Sequence, residues 1–147
     1  MSIPVLYHGG LPHGTSLSDI DLFREATKQN GRHGGGGYAG FYLTESREVA
    51  ERYNESSDDG GVFEVKVKSG AKVLDYGRDI TRIKKDDLKD YAKDYDLMRG
   101  RNILGKIEYI LLDKACVVSF NEIKNSEKKA CVRLAKRLLL LARMLVE

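Results

Sequence analysis

The sequence predicts an α+β fold in which short, mainly antiparallel strands are combined with helices. Two observations support this class. Short β-rich segments with alternating apolar residues are mixed with helix-forming segments, and no regular strand–helix–strand repeat indicates a parallel sheet. The length of 147 residues suits one hydrophobic core. We therefore treat residues 1–147 as a single domain.

The first half of the chain is predicted to contain two strands and two helices. Residues 3–7 are β-rich and precede a Gly-Gly pair, and residues 19–27 can form a helix. Four consecutive glycines at 34–37 have no stiff conformation, so we expect a mobile loop there. A strand at 40–43 is followed by a helix that Thr44 or Ser46 can cap and that ends near Tyr53.

The second half is predicted to contain four strands and two helices. Residues 62–67 alternate as a strand does, residues 71–74 form another short strand, and residues 84–95 form a charged helix. A basic loop at 99–106 precedes a strand at 107–112, and we expect a strand at 115–120 to pair with it. Residues 126–147 are predicted to form a long, basic amphipathic helix.

Composition and charge exclude several classes of protein. The chain is 41% hydrophobic and 32% charged, as in ordinary globular domains, and its net charge of +3 does not by itself indicate nucleic-acid binding. Cys116 and Cys131 have no metal-binding or redox spacing. We see no cleavable signal and no apolar run long enough to cross a bilayer. We expect a cytoplasmic protein, or one delivered into a target cell by a secretion system.

Glu108 is the most unusual residue of the sequence when each motif is taken alone. Strand alternation places it on the same face as Ile110 and Leu112, where a carboxylate is costly unless it is paired or used. A functional role and a structural ion pair are equally good interpretations. His8 at a strand end and Tyr42 beside a phenylalanine more often have structural roles.

Three segments taken together are more specific than any one of them. They are Leu6-Tyr7-His8-Gly9-Gly10, then Gly40-Phe41-Tyr42-Leu43-Thr44 with a second tyrosine at Tyr53, and last Ile107-Glu108-Tyr109-Ile110. Their order and spacing resemble the H-Y-E group of ADP-ribosyltransferases, which includes diphtheria-toxin-like enzymes and poly(ADP-ribose) polymerase catalytic domains. The resemblance implies two small antiparallel sheets that form an NAD cleft, with peripheral helices and a long C-terminal helix.

The resemblance also implies a role for each matching residue. Glu108 is the expected catalytic residue, and NAD+ is the expected co-substrate without any metal. His8 would bind a ribose hydroxyl, the backbone of Gly9 would bind the nicotinamide amide, and Tyr42 and Tyr53 would stack on the nicotinamide ring. The implied activity is mono-ADP-ribosylation of a macromolecular acceptor by a bacterial effector or toxin, with a protein acceptor favoured over nucleic acid.

Alternatives to this function stay open at the level of sequence. The same site could hydrolyse NAD+ as a glycohydrolase, or the chain could be an inactive module that binds NAD, nucleic acid or protein. Lys106 stands where arginine-modifying relatives usually carry Glu or Gln, which disfavours arginine as the acceptor. The glycine run at 34–37 and the loop at 99–106 are the expected acceptor-facing loops.

The C-terminal helix has two interpretations. Residues 124–143 carry seven Lys or Arg against one Glu, and leucines recur at helical spacing. We expect this helix to pack on the sheet with its basic face in water. The alternative is a docking surface for a partner protein, an inhibitor or an anionic membrane.

Overall fold

The fold is given by a computed structural model that describes residues 2–24, 39–55, 60–124 and 126–146. The glycine run at 34–37 therefore lies outside the described residues, as do residues 25–27 of the helix expected at 19–27. The described residues 20–24 of that expected helix are not helical, and a short 3-10 turn, Leu17–Asp19, precedes them. Seven strands and three α-helices are present in the described part. The strands are β1 Leu6–Pro12, β2 Tyr42–Thr44, β3 Gly60–Val67, β4 Val73–Asp79, β5 Leu97–Arg101, β6 Ile107–Leu111 and β7 Val117–Ile123. The helices are α1 Arg47–Glu55, α2 Lys85–Tyr91 and α3 Ser126–Val146.

All seven strands belong to one mixed sheet, in the order β4-β5-β6-β2-β1-β3-β7. The α+β class is confirmed. The two separate antiparallel sheets that the resemblance implied are not confirmed, because the described strands form one mixed sheet. The halves β4-β5-β6-β2 and β1-β3-β7 are joined because β1 pairs with β2 as well as with β3. That joint is narrow, since the β1–β2 register consists of the single pair Tyr7 and Thr44.

The pair β4–β5 is parallel, whereas the other neighbouring pairs are antiparallel. A parallel pair needs a crossover, and here α2 supplies it between the two strands. The sequence suggested that the strand after β6 pairs with β6. Instead, this strand, β7, pairs with β3 toward the other end of the strand order. Strand β6 already has both edges occupied by β5 and β2, so β7 has no free edge there.

Each face of the sheet contributes to its own hydrophobic cluster. The face that carries Leu43, Tyr109 and Leu111 packs against Ile20 and Leu22 of the N-terminal region. The other face carries Met98 and Ile110. It packs against Ile80 of the 3-10 turn Ile80–Arg82, against Ile83 directly after that turn and against Leu88 of α2. Glu108 lies on this second face, because the register pairs it with Thr44 while Tyr42 pairs with Ile110.

The helix after β2 begins where the sequence predicted. The hydroxyl of Ser46 accepts a hydrogen bond of 3.2 Å from the backbone N–H of Val49, which caps the first turn of α1. Tyr53 is the seventh residue of this nine-residue helix.

The long C-terminal helix is present, but its packing on the sheet was wrongly expected for the part whose side chains are described. Residues 135–145 are exposed, and the leucines among them retain between 56% and 86% of their accessible surface. The two core clusters contain no residue of this segment, among the described residues. The described helices include none that is both long and apolar enough to cross a membrane.

Candidate functional site

The candidate site begins where β1 and β2 separate. If the antiparallel ladder continued beyond Tyr7 and Thr44, Gly9 would face Tyr42. Instead, Nδ1 of His8 donates a hydrogen bond of 2.5 Å to the carbonyl oxygen of Tyr42. The imidazole thus binds a carbonyl in the position where a further strand pair would form. We call the place where β1 and β2 stop pairing, between His8 and Tyr42, the fork.

The environment of His8 fixes the protonation state of its ring. The ring is half-buried and stacks on Phe41 at 4.3 Å between centroids. Burial lowers the pKa of His8 to about 4, and the bond to the Tyr42 carbonyl opposes this only in part. At neutral pH the ring is therefore uncharged. Because a carbonyl oxygen can only accept, Nδ1 carries the proton and Nε2 is left as an acceptor.

Gly9 and Gly10 are required by the way α1 packs on β1. A Cβ on Gly9 would lie 1.8 Å from the carbonyl oxygen of Ala50, so only glycine allows this approach. Gly10 has a φ of 92° at the irregularity that shifts the β1–β3 register. The neighbour that occupies the space of a side chain at Gly9 is the backbone of helix α1.

The two tyrosines flank the same fork. Tyr42 is half-buried on β2, and its hydroxyl donates a hydrogen bond of 3.1 Å to the Ile80 carbonyl. Tyr53 lies on α1 with 53% of its surface exposed, and its backbone carbonyl oxygen is 3.7 Å from the ideal Cβ position of Gly10. The structure thus brings Tyr53 to the β1 side of the fork and Tyr42 to the β2 side.

Glu108 lies on the same sheet face as Tyr42, two register pairs farther along the β2–β6 ladder. It faces Thr44 on one side and Gly100 on the other. Since it is diagonal to Tyr42, their Cα atoms are roughly 7–8 Å apart. The absence of a side chain at Gly100 and the small size of Thr44 leave the carboxylate uncrowded by its cross-strand neighbours.

The carboxylate of Glu108 is buried without a counter-ion. The residue is 8% exposed, and within the part of the chain that the structure describes no cation lies within ion-pair distance. Its hydrogen bond comes from Nδ2 of Asn102, at 3.3 Å from Oε1. Burial raises the pKa of Glu108, the Asn102 bond opposes this, and the negative charge of Asp79 adds to the rise.

A cavity of about 380 Å³ opens beside Glu108. It lies at one end of the neighbouring strands β5, β6 and β2, between the start of α1 and the loop that joins β5 to β6. Two of its lining residues are basic, and two are carboxylates. The lining consists of Thr44, Glu45, Ser46, Val49, Arg101, Asn102, Gly105, Lys106, Ile107 and Glu108.

Asn102 is a site residue that the motifs did not indicate. Its Oδ1 accepts hydrogen bonds from the backbone N–H groups of Leu104 and Lys106, so it shapes the β5–β6 loop. Its Nδ2 is then directed to Glu108. An Asn three residues before a Gly is a typical turn former, and this was the signal in the sequence. The expected basic loop at 99–106 is in fact partly strand, because β5 extends to Arg101.

A second cavity, of about 410 Å³, lies at the start of α2 and is lined by Ala39, Thr81, Arg82, Ile83, Lys84, Lys85 and Asp86. Neither of the two cavities is lined by His8, Gly9, Tyr42 or Tyr53. The described residues contain no cluster of three or more His, Cys, Asp or Glu side chains that could hold a metal ion.

Comparison of the chain with known protein families, with curated proteins and with solved structures finds no match. Any assignment of function therefore depends on the geometry of the five residues around the fork and the cavity.

Proposed function

We propose that the protein cleaves NAD+ and transfers the ADP-ribose to a macromolecular acceptor, as a mono-ADP-ribosyltransferase. The observation that carries the proposal is the buried carboxylate of Glu108, which has no ion-pair partner among the described residues and lies beside a cavity, on the same sheet face as Tyr42. Because burial of a carboxylate without an ion pair costs free energy, and the Asn102 hydrogen bond offsets this only in part, we attribute the position of Glu108 to function and not to stability.

The reaction requires a negative charge at this kind of position. Breaking the bond between nicotinamide N1 and ribose C1′ sends the bonding electrons to nicotinamide, which leaves as a neutral molecule. Positive charge then develops on the ribose, and a fixed carboxylate stabilises this charge more than it stabilises bound NAD+. Poor solvation of Glu108 strengthens that attraction. The nucleophile of the acceptor forms a bond to C1′ and releases its proton.

The remaining four residues suit the binding of NAD+ around the fork. The uncharged ring of His8 can accept a hydrogen bond at Nε2, which suits a ribose hydroxyl. By the resemblance to the H-Y-E group of ADP-ribosyltransferases, the backbone N–H and C=O of Gly9 would bind the nicotinamide carboxamide, which requires one donor and one acceptor. Tyr42 and Tyr53 lie on opposite sides of the fork and suit stacking on the two faces of a flat ring.

The test is incubation of the purified chain with labelled NAD+ in a cell lysate, with Glu108→Gln as the inactive variant. Gln keeps the shape of the side chain and removes its charge. We expect a labelled macromolecule with the native chain, and a loss of at least about 100-fold in labelling with the variant. A suitable control is Glu122→Gln, because Glu122 contacts His13 and Gly14 at the opposite end of the sheet order.

The outcomes of this assay separate the alternatives. Free nicotinamide without any labelled macromolecule would favour a glycohydrolase over a transferase. Equal labelling by the native chain and by Glu108→Gln would remove Glu108 from the catalytic role. The absence of any NAD+ consumption would favour an inactive binding module.

A further inference from the structure

The exposed part of α3 is a second surface that the proposed activity does not use. Residues 135–145 are all exposed, and they include three cations and no Asp or Glu. Six large apolar side chains in the same segment are also exposed to water. These are Leu138 (58%), Leu139 (60%), Leu140 (62%), Leu141 (56%), Met144 (71%) and Leu145 (86%). A continuous apolar surface of this kind is typical of an interaction site.

Three leucines and two of the three cations lie on opposite sides of this helix, while Leu139 and Leu140 lie nearer the cations. Leu138, Leu141 and Leu145 follow each other at spacings of three and four residues, so they form one stripe. At about 100° per residue, Lys136 and Arg143 lie on the side opposite this stripe. The segment is therefore amphipathic, with a leucine stripe along one side and positive charge along the other.

We propose that α3 binds an anionic lipid surface, lying in the plane of the headgroups with the leucine stripe toward the acyl chains. A basic amphipathic helix rich in leucine binds membranes in this way, by apolar burial together with attraction to anionic lipids. The long stems of Lys136, Arg137 and Arg143 can extend so that their charges reach the lipid phosphates.

Charge complementarity favours this occupant over a second copy of the chain. A second α3 would bring the same three cations, and residues 135–145 contain no carboxylate to pair with them.

The test is sedimentation of the full chain with phosphatidylcholine vesicles that contain phosphatidylserine, and with vesicles of phosphatidylcholine alone. We expect binding to the anionic vesicles only. Combining Lys136→Gln, Arg137→Gln and Arg143→Gln should weaken that binding by on the order of 100-fold. Each cation near an anionic surface raises the binding constant by roughly fivefold. Combining Leu138→Gln, Leu141→Gln and Leu145→Gln should abolish it.

A matched control replaces three exposed lysines elsewhere, Lys72, Lys89 and Lys93, by Gln. We expect this control to bind anionic vesicles as the native chain does, and all the variants to keep the native unfolding temperature. Three results would overturn the proposal: equal binding to both kinds of vesicle, a control variant as weak as the α3 variants, or a dimer in solution that the leucine substitutions dissociate. NAD+ turnover is not part of the readout, so this test is independent of the proposed activity.

Discussion

Gly9→Ala should both destabilise the fold and impair the candidate site. The added methyl carbon would lie 1.8 Å from the carbonyl oxygen of Ala50 and 2.7 Å from its carbonyl carbon. An ordinary carbon–oxygen contact is about 3.3–3.6 Å, so α1 must move away from β1 by roughly 1.5 Å. Both sides of the contact are backbone, and no side-chain rotation can relieve it.

The expected cost lies at the upper end of the range for overpacking, about 3 kcal/mol. For a chain of this size, 1 kcal/mol corresponds to roughly 2–4 °C in Tm, so we expect a fall of about 6–12 °C. Because Tyr53 is carried by α1, the same displacement moves it away from the fork. A misplacement of about 1 Å can cost on the order of 100-fold in rate, which is the loss of kcat/KM that we expect for NAD+.

Thermal unfolding followed by circular dichroism measures the first effect, and nicotinamide release measures the second. Gly70→Ala is the control, since a Cβ there has no neighbour within 4 Å and its φ is not in the left-handed region. Its free energy of unfolding should change by no more than about 0.5 kcal/mol, as for a neutral surface substitution. A native Tm for Gly9→Ala would refute the packing of α1 on β1. A lowered Tm with native turnover would refute the role of Tyr53.

Three further predictions concern the site. His8→Gln should remove a sensitivity of the fold to acid. The pKa of His8 in the folded state is about 4, below the ordinary 6.5, so the native chain should lose about 3 kcal/mol of its free energy of unfolding as pH falls from 6.5 to 4. Unfolding measured across that range should show this loss in the native chain and not in the variant. Glu108→Gln should be more stable than the native chain above about pH 4.5 and should lose that advantage below it. The reason is that burial raises the pKa of Glu108 and penalises its ionised form. Equal Tm values of the two chains at pH 7 would contradict the burial of a charge at Glu108. Tyr53→Ala should raise KM for NAD+ by roughly tenfold while Tyr53→Phe keeps the native value, as stacking requires a ring and no hydroxyl; equal KM values for the two variants would exclude a stacking role.

The local elements were predictable because each depends on neighbours in the chain. The cap at Ser46 and the helix that follows it to Tyr53 came from local hydrogen bonding and spacing. The alternation of β6 placed Glu108 on a face with Ile110, and the register confirms this. The same local reasoning failed where the partner was remote. The pairing of β7 with β3 depends on which edges the rest of the sheet leaves free.

The sequence by itself determined the α+β class, most of the elements and the residues that could carry chemistry, because periodicity and turn chemistry are written in short segments. Only the tertiary structure decided that the two halves of the sheet join at Tyr7 and Thr44, that the His8 imidazole binds the Tyr42 carbonyl, and that Asn102 donates to Glu108. These contacts join residues far apart in the chain or depend on a loop's path. Their geometry follows from the packing of the whole domain, and no local pattern encodes it.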